Sequence, residues 1–331
     1  MRIGLTYDMR EEYLALGYTE EEVVELDKPE TIEGLEAALA ALGHQPVRIG
    51  NHRALAAALL AGERWDLVFN IAEGMHGLGR ESLVPAMLDA WKIPYTFSDP
   101  MVLAISLHKG MCKRVVQQLG VPTAPFAVLD RSEDAAGLAL PFPLFLKPVA
   151  EGTGKGIDDR SVVRDPEALA AVSADLLARF EQQVLVETFL PGREFTVGIV
   201  GTGAKARIAG VMEVHIPGDE DAVYSMETKE NYVGVVHYGL LEAGPLREDV
   251  EGVALAAWRG LGCRDGGRVD VRLDAAGRAN FIEVNPLAGL NHVHSDLPIM
   301  TYMAGGDFTD LIGAIVASAL ERTDARRSSS R

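Results

Sequence analysis

Cysteine is nearly absent from this chain: Cys112 and Cys263 are the only two in 331 residues, and neither belongs to a CxxC pair. A disulfide framework and structural zinc are thereby disfavoured, and a reducing compartment fits. Long apolar runs are missing as well, since no stretch approaches the ~18 residues of a membrane span. The opening Met1-Arg2-Ile3-Gly4-Leu5 runs straight into a strand-like pattern and lacks the apolar core of a signal peptide. Basic residues are in deficit, with 31 Lys and Arg against 48 Asp and Glu, a net charge of −17. A chain this acidic is repelled by a phosphate backbone, although local basic groups can still hold a small anion. The expectation is a soluble cytoplasmic protein with neither nucleic acid nor membrane as partner. Familiar catalytic signatures are also lacking. No GxSxG, HExxH or EF-hand loop occurs, and Ser106-Leu107-His108-Lys109 fits SxxK without its companion motifs. His292 and His294 have no cysteine or third histidine near them in the sequence to complete a metal site.

What is present is an ordinary globular composition, 48% apolar and 24% charged, over a length that suits two or three domains. In residues 1–103, Ile3–Tyr7, Val47–Ile49 and Asp66–Ile71 read as strands, and Pro29–Leu42, Arg53–Ala61 and Glu81–Ala90 as helices. Alternation of this kind implies a parallel sheet covered by helices on both faces. Further on, helices are expected over Leu107–Leu119 and near Glu167–Phe180. Between and after them come strand-like runs at Phe126–Leu129, Leu144–Val149, Val184–Glu187, Phe195–Val200, Ala206–Val214 and Arg268–Leu273. Asp274-Ala275-Ala276-Gly277 reads as a hairpin turn into Ala279–Val284. This half is α+β and antiparallel. The tail from Thr323 to Arg331 is expected to be disordered.

Three stretches carry chemistry. Strand alternation puts Arg268, Asp270 and Arg272 on one face, and Glu283 and Asn285 on one face of the next strand. If the strands pair, two carboxylates and an amide oxygen converge, a hard oxygen set suited to Mg²⁺ carrying nucleotide phosphates. Read without other information, the same residues serve equally as cross-strand ion pairs. Lys109 and Lys147 stand in apolar settings where a buried ammonium needs an anion. Downstream of Lys147, Glu151-Gly152-Thr153-Gly154-Lys155-Gly156 offers backbone N–H groups to phosphate, or is simply a flexible turn. It is no Walker A loop, because Gly156 follows Lys155 where Ser or Thr would stand. Finally, Glu187-Thr188-Phe189-Leu190-Pro191-Gly192-Arg193-Glu194 ends a strand in an acid and an apolar pair that could line an adenine slot.

In their order and spacing these segments resemble the ATP-grasp superfamily, and within it the D-alanine–D-alanine ligases. The resemblance runs from about Asp66 to Pro298. It rests on Pro94-Tyr95-Thr96-Phe97-Ser98-Asp99-Pro100, Phe145-Leu146-Lys147-Pro148, the Glu187 to Glu194 stretch, and Phe281-Ile282-Glu283-Val284-Asn285-Pro286 with the later His294-Ser295. It implies an ATP-grasp fold, mixed α/β and α+β, with an N-terminal parallel α/β domain at 1–103 and ATP-grasp subdomains at 104–194 and 195–331. It implies an ATP- and Mg²⁺-dependent ligase (Mn²⁺ as a substitute) that joins a small carboxylate to an amine through an acyl phosphate, working as a homodimer. By the same resemblance, Lys109 and Lys147 hold nucleotide phosphates and Glu187 binds the adenine end. Phe189 and Leu190 form the adenine hinge, Glu194 binds ribose, and Lys229 sits on a loop closing over ATP. Asp270, Glu283 and Asn285 match the metal ligands, Arg268 the arginine that stabilises the tetrahedral intermediate, and Ser295 the serine near the product carboxylate.

The departures fall where substrate is chosen. Thr6-Tyr7-Asp8-Met9-Arg10 and a long acidic stretch replace the family's Gly-Gly loop, Glu73-Gly74 replaces a His-Gly pair, and Arg80-Glu81 lies where two acids are usual. Asp296 follows Ser295 in place of an apolar residue. It either faces the pocket and opposes a second carboxylate, or points outward and caps the next turn. An ATP-grasp carboxylase or phosphotransferase, and a nucleotide-binding module without catalysis, are the rival readings. The completeness of Arg268, Asp270, Glu283 and Asn285 argues against the last.

Overall fold

The computed structural model describes residues 1–215 and 237–329. Near the N-terminus, Arg2–Thr6 lies between Gln45–Gly50 and Leu67–Asn70 in a parallel three-stranded sheet, which Tyr95 extends by a parallel bridge to Val68. Leu67–Asn70 is buried at every position, as a strand covered on both faces must be. The helix Pro29–Ala41 starts with proline at its first position and buries Ile32, Leu35 and Leu39 at helical spacing. Asn51 caps the helix His52–Leu60 by accepting the Arg53 and Ala54 N–H groups. The expected α/β arrangement is present.

Two antiparallel sheets follow. One orders Phe126–Leu129, Val184–Thr188, Leu144–Pro148 and Val162–Val163, and packs against the helix Pro166–Phe180. The other orders His237–Leu240, Arg207–His215, Glu194–Val200, Gly266–Leu273 and Ala279–Asn285. The helix Pro245–Leu261 backs this sheet and buries Trp258 completely. Among the described residues no single helix is long and apolar enough to cross a membrane.

One expectation is refined and one corrected. The helix expected over Leu107–Leu119 is present as Lys109–Gln118, and a separate helix not expected from the sequence, Pro100–Leu107, ends at a break at His108. There the His108 Nδ1 accepts the Met111 N–H, and the Lys109 N–H donates to the Val149 carbonyl. The break makes Lys109 the first residue of its helix, where the positive end of the helix dipole adds to its charge. The tail is not irregular either, because the last helix runs over Phe308–Ser329. Alanine and arginine are good helix formers, and no proline or glycine interrupts Thr323–Ser329. Ile312 and Ile315 of this helix join Ile32, Leu35 and Phe69 in one core, so the end of the chain packs against its beginning.

The acidic stretch after the first strand folds back rather than projecting into solvent. Arg10 N–H donates to the Asp27 carbonyl and Asp27 N–H to the Asp8 carbonyl, which closes the stretch into a loop. From that loop Glu25 reaches the glycine-rich segment. Its carboxylate meets Arg80 at 2.9 Å, Lys155 at 3.4 Å and the Gly152 N–H at 2.8 Å. Burial alone would raise the Glu25 carboxyl, but Arg80, Lys155 and the Gly152 N–H together hold it below the ordinary carboxylate range. Glu25→Gln leaves two buried cations undercompensated and should lower unfolding free energy by about 3 kcal/mol at neutral pH. A carboxylate with a lowered folded pKa contributes fully at neutral pH, and the contribution disappears as pH falls through that pKa. Urea unfolding at several pH values should therefore show the native and variant curves converging in acid.

Candidate active site

Antiparallel pairing brings the carboxylates together. Gly266–Leu273 and Ala279–Asn285 align Asp270 with Glu283 and Arg268 with Asn285, and a bulge after Asp270 shifts the register beyond that point. Close approach here requires glycine. A Cβ on Gly267 would lie 2.5 Å from the Asn285 carbonyl oxygen and 2.8 Å from the Trp258 ring. Arg268 Nη1 donates to both Asp270 oxygens at 3.0 Å, while Thr196 Oγ1 donates to Asp270 Oδ1 and Asn285 Nδ2 to Asp270 Oδ2 at 3.3 Å.

The lysines enter from the other sheet and from the broken helix. Lys147 Nζ lies 3.2 Å from Glu283 Oε2 and 3.8 Å from Glu187 Oε1, and Lys109 Nζ lies 3.8 Å from Glu283. Lys113, one helical turn beyond Lys109, is fully buried and reaches Glu187 at 2.7 Å and Thr123 Oγ1 at 2.7 Å. Burial pulls the Lys109 and Lys113 ammonium groups below the usual lysine range, and Lys147 nearby adds to this. For Lys147 burial acts the same way, but Glu283 and Glu187 outweigh it and raise its pKa. Three buried ammonium groups thus crowd two glutamates.

Toward the outer end of this cleft, Phe145, Ile157, Phe189, Leu190 and Ile282 form an apolar slot. Its polar edge is Glu194, held by Arg272 Nη1 at 3.1 Å, and the Arg272 guanidinium lies 4.9 Å from the Phe189 ring centroid. The Phe189 N–H donates to the Pro143 carbonyl at 3.0 Å.

Two further cavities open on the same point. Glu73, Glu81, Lys109, Glu283 and Arg268 are among the walls of one. Arg10, Asp27, Lys28, Ser295, Asp296 and Arg268 are among the walls of the other. Arg268 also lines the apolar cleft, so it stands where three cavities meet. Asp296 faces inward: its Oδ2 is 3.2 Å from Arg268 Nη1. Ser295 Oγ accepts the Asn291 N–H at 3.0 Å, and a Cβ on Gly289 would press to 2.9 Å from that oxygen. Arg80 takes no place as a free substrate ligand, being bound to Glu25 and the Ala150 carbonyl. In the first of these cavities Glu81 is pushed up to about 7 by burial, and Glu73 well above its ordinary value by burial and by Glu81.

Of the residues expected from the sequence, Lys109, Lys147, Glu187, Phe189, Leu190, Glu194, Arg268, Asp270 and Glu283 line one cleft. Asn285 and Ser295 lie in the adjoining cavities, and Lys229 falls outside the described residues. Lys113, Thr196 and Glu25 were not anticipated, and Arg272 was placed on the face of Asp270 without a role. Lys113 was signalled by its i+4 spacing from Lys109 and Arg272 by its strand alternation with Arg268. Nothing local marked Glu25.

Residues 115–317 match the family model described as D-ala D-ala ligase C-terminus. A D-alanine–D-alanine ligase of Bordetella pertussis is 35% identical over 264 residues, which is 78% of this chain and 80% of that protein. One from Aquifex aeolicus is 32% identical over 287 residues, 86% of this chain and 93% of that protein. This chain belongs to the D-alanine–D-alanine ligase family. The crystal structure of the Bacillus anthracis D-alanine–D-alanine ligase complexed with ATP has the same fold, with a TM-score of 0.73 at 21% identity over 98% of this chain and 99% of that one. The protein is an ATP-dependent ligase that forms an amide bond, and Mg²⁺ is the family's usual metal. The residues present suit that ion. Among the described residues no cluster of three or more His, Cys, Asp or Glu gathers as a metal site. Two carboxylates and an amide fit magnesium nonetheless, which takes one or two carboxylates and completes its shell with substrate phosphates.

Arg272→Ala removes both the cation over Phe189 and the partner of Glu194. The KM for ATP should rise roughly 10-fold, or about 1.4 kcal/mol, with kcat little changed. Steady-state kinetics at saturating co-substrates measure the split.

Proposed function

We propose that the three cavities meeting at Arg268 take ATP, a small carboxylic acid and an amine. The single observation supporting this reading is the position of Arg268, which lines all three. ATP would lie between the lobes assigned to residues 104–194 and 195–331, with residues 1–103 closing the substrate side. Adenine fits the slot beside Phe189 and Leu190, where Glu187 and the Leu190 N–H would meet its edge and Glu194 its ribose. Lys109 and Lys147 would bind the phosphates, with Lys229 on a loop that closes over them. Asp270, Glu283 and Asn285 would hold magnesium, which when bound neutralises charge on the transferring phosphoryl group.

A carboxylate is a poor electrophile, so it first attacks the γ-phosphorus of ATP and releases ADP. Lys147 offsets the charge dispersed over the transferring group. The amine then attacks the carbonyl carbon of the acyl phosphate. Arg268 donates to the oxyanion that forms, the C–O bond to phosphate breaks, the departing phosphate takes the proton that the nitrogen loses, and the amide remains. The glycine-rich segment, held by Glu25, would help exclude water from the acyl phosphate. Glu73 and Glu81 line the acid's cavity and Ser295 the amine's. We also infer a cytoplasmic homodimer, a reading that rests on the scarcity of cysteine and the family resemblance.

ADP release from ATP and Mg²⁺ should appear when the chain meets a panel of small carboxylic acids headed by D-alanine, with hydroxylamine as a common acceptor. Silence across the panel would sink the ligase reading for this chain. Arg268→Ala should lower kcat by about 10²-fold while leaving ATP binding near normal, as for a lost oxyanion donor. Glu283→Ala should abolish turnover yet leave metal-free nucleotide binding intact. Unchanged magnesium-dependent turnover in that variant would remove Glu283 from the metal site.

A further inference from the structure

We infer that Arg80 is a positioning residue: it clasps the glycine-rich segment to the wall of the acid's cavity and so keeps water from the acyl phosphate. This rests on the reading above, in which that cavity takes the acid and the segment shields the intermediate. The Arg80 side chain is only 8% exposed. Its Nη1 donates to the Ala150 carbonyl at 2.8 Å and its Nη2 to Glu25 Oε2 at 2.9 Å. The other Glu25 oxygen accepts the Gly152 N–H at 2.8 Å and lies 3.4 Å from Lys155 Nζ. One guanidinium thus holds the segment at Ala150 directly, and at Gly152 and Lys155 through Glu25. A planar fork makes both of its bonds at once, which a lysine ammonium does not reproduce. Arg80, Gly152 and Thr153 are all walls of the acid's cavity, so the clasp closes on that cavity itself.

The fixed side of the clasp is rigid. Arg80 begins the short turn Arg80–Ser82, and Ser82 Oγ donates to the Pro100 carbonyl at 2.7 Å. Gly74, at φ +70, packs beneath it, where a Cβ would lie 2.8 Å from the Arg80 carbonyl oxygen. The held side is strained. Thr153 sits at φ +51, a left-handed conformation that a β-branched residue rarely adopts. Such a conformation persists only where the surroundings impose it. Here Glu25 grips Gly152 on one side of Thr153 and Lys155 on the other. Thr153 also lines the amine's cavity, so its conformation shapes the wall of each substrate site. Gln182 makes separate ties, accepting the Ala150 N–H at 2.8 Å and donating to Glu151 Oε1 at 2.6 Å. Those ties survive the loss of Arg80, so the segment loosens without leaving its sheet. Water then reaches the intermediate and adds to the carbonyl carbon of the acyl phosphate. The C–O bond to phosphate breaks, one proton of the water goes to the phosphate and one to solvent, and the acid is returned. ATP is consumed and no amide forms.

The test uses the full chain, ATP, Mg²⁺, hydroxylamine and the acid that supports the fastest ADP release. ADP is counted against every amide formed, the hydroxamate and any dipeptide of the acid alike. The native protein should release about one ADP per amide. In Arg80→Met the ADP released per amide should rise by about threefold or more. Arg80→Lys keeps the buried charge without the fork and should give a smaller rise in the same direction. Trypsin cleavage after Lys155 should quicken in the same order, because it follows the opened form of the segment. ADP and amide falling together in Arg80→Met, with their ratio unchanged, overturns the inference, since Arg80 would then serve the fold alone. Faster cleavage after Lys155 at an unchanged ratio overturns it too, since the segment would then shield nothing. Should circular dichroism show Arg80→Met unfolded, Arg80→Lys decides by the same two readings. No ADP from the native protein with any acid would instead overturn the ligase reading itself.

Discussion

The alignment of Asp270 with Glu283 across two antiparallel strands is the constraint on which the rest of the site depends. Side-chain period in a strand is two, so a slip of one residue would turn Arg268, Asp270 and Arg272 into the core behind the sheet. The buried Val269 and Val271 between them, packed against Trp258, penalise that slip. Gly267 permits the strand to lie against the Trp258 ring, and the bulge after Asp270 lets the register change once Arg268 and Asp270 are aligned with Asn285 and Glu283. The site's geometry is therefore maintained by apolar packing on the opposite face of the same strands.

Charge accumulation is the second constraint. Lys109, Lys113 and Lys147 are buried against Glu187 and Glu283, and an ammonium in that setting is tolerated only with partners. Lys113 and Glu187 form the permanent pair, at 2.7 Å with the lysine fully buried. The longer contacts of Lys109 and Lys147 to Glu283 are of the kind that phosphate and metal would replace. Crowded lysines repel one another, so the cleft is locally cationic despite a net charge of −17 on the whole chain.

The N-terminal lobe reaches this cleft through side chains rather than through its sheet. Glu25 connects Arg80 to Lys155 and the Gly152 N–H, so the loop after the first strand holds the glycine-rich segment. The same lobe contributes Glu73 and Glu81 to one cavity and Arg10 and Lys28 to the other. The cavities beside Arg268 are thus walled in part by residues that precede the first antiparallel sheet.

What the sequence by itself determined was whatever depends on neighbours along the chain. Alternation placed Arg268, Asp270 and Arg272 on one face, Glu283 and Asn285 on another, and strand–helix alternation in residues 1–103 specified a parallel sheet. Ordered motifs added the family. Tertiary structure decided what depends on distant partners. The break at His108 follows from the Val149 carbonyl accepting the Lys109 N–H, and the last helix shares a core with Ile32 and Leu35 through Ile312 and Ile315. Glu25 gained its role from Arg80 and Lys155, and the direction of Asp296 was settled by Arg268, in each case by a contact with a residue far away along the chain. Period and local propensity act over a few residues, whereas buried charges choose partners by proximity in the folded chain.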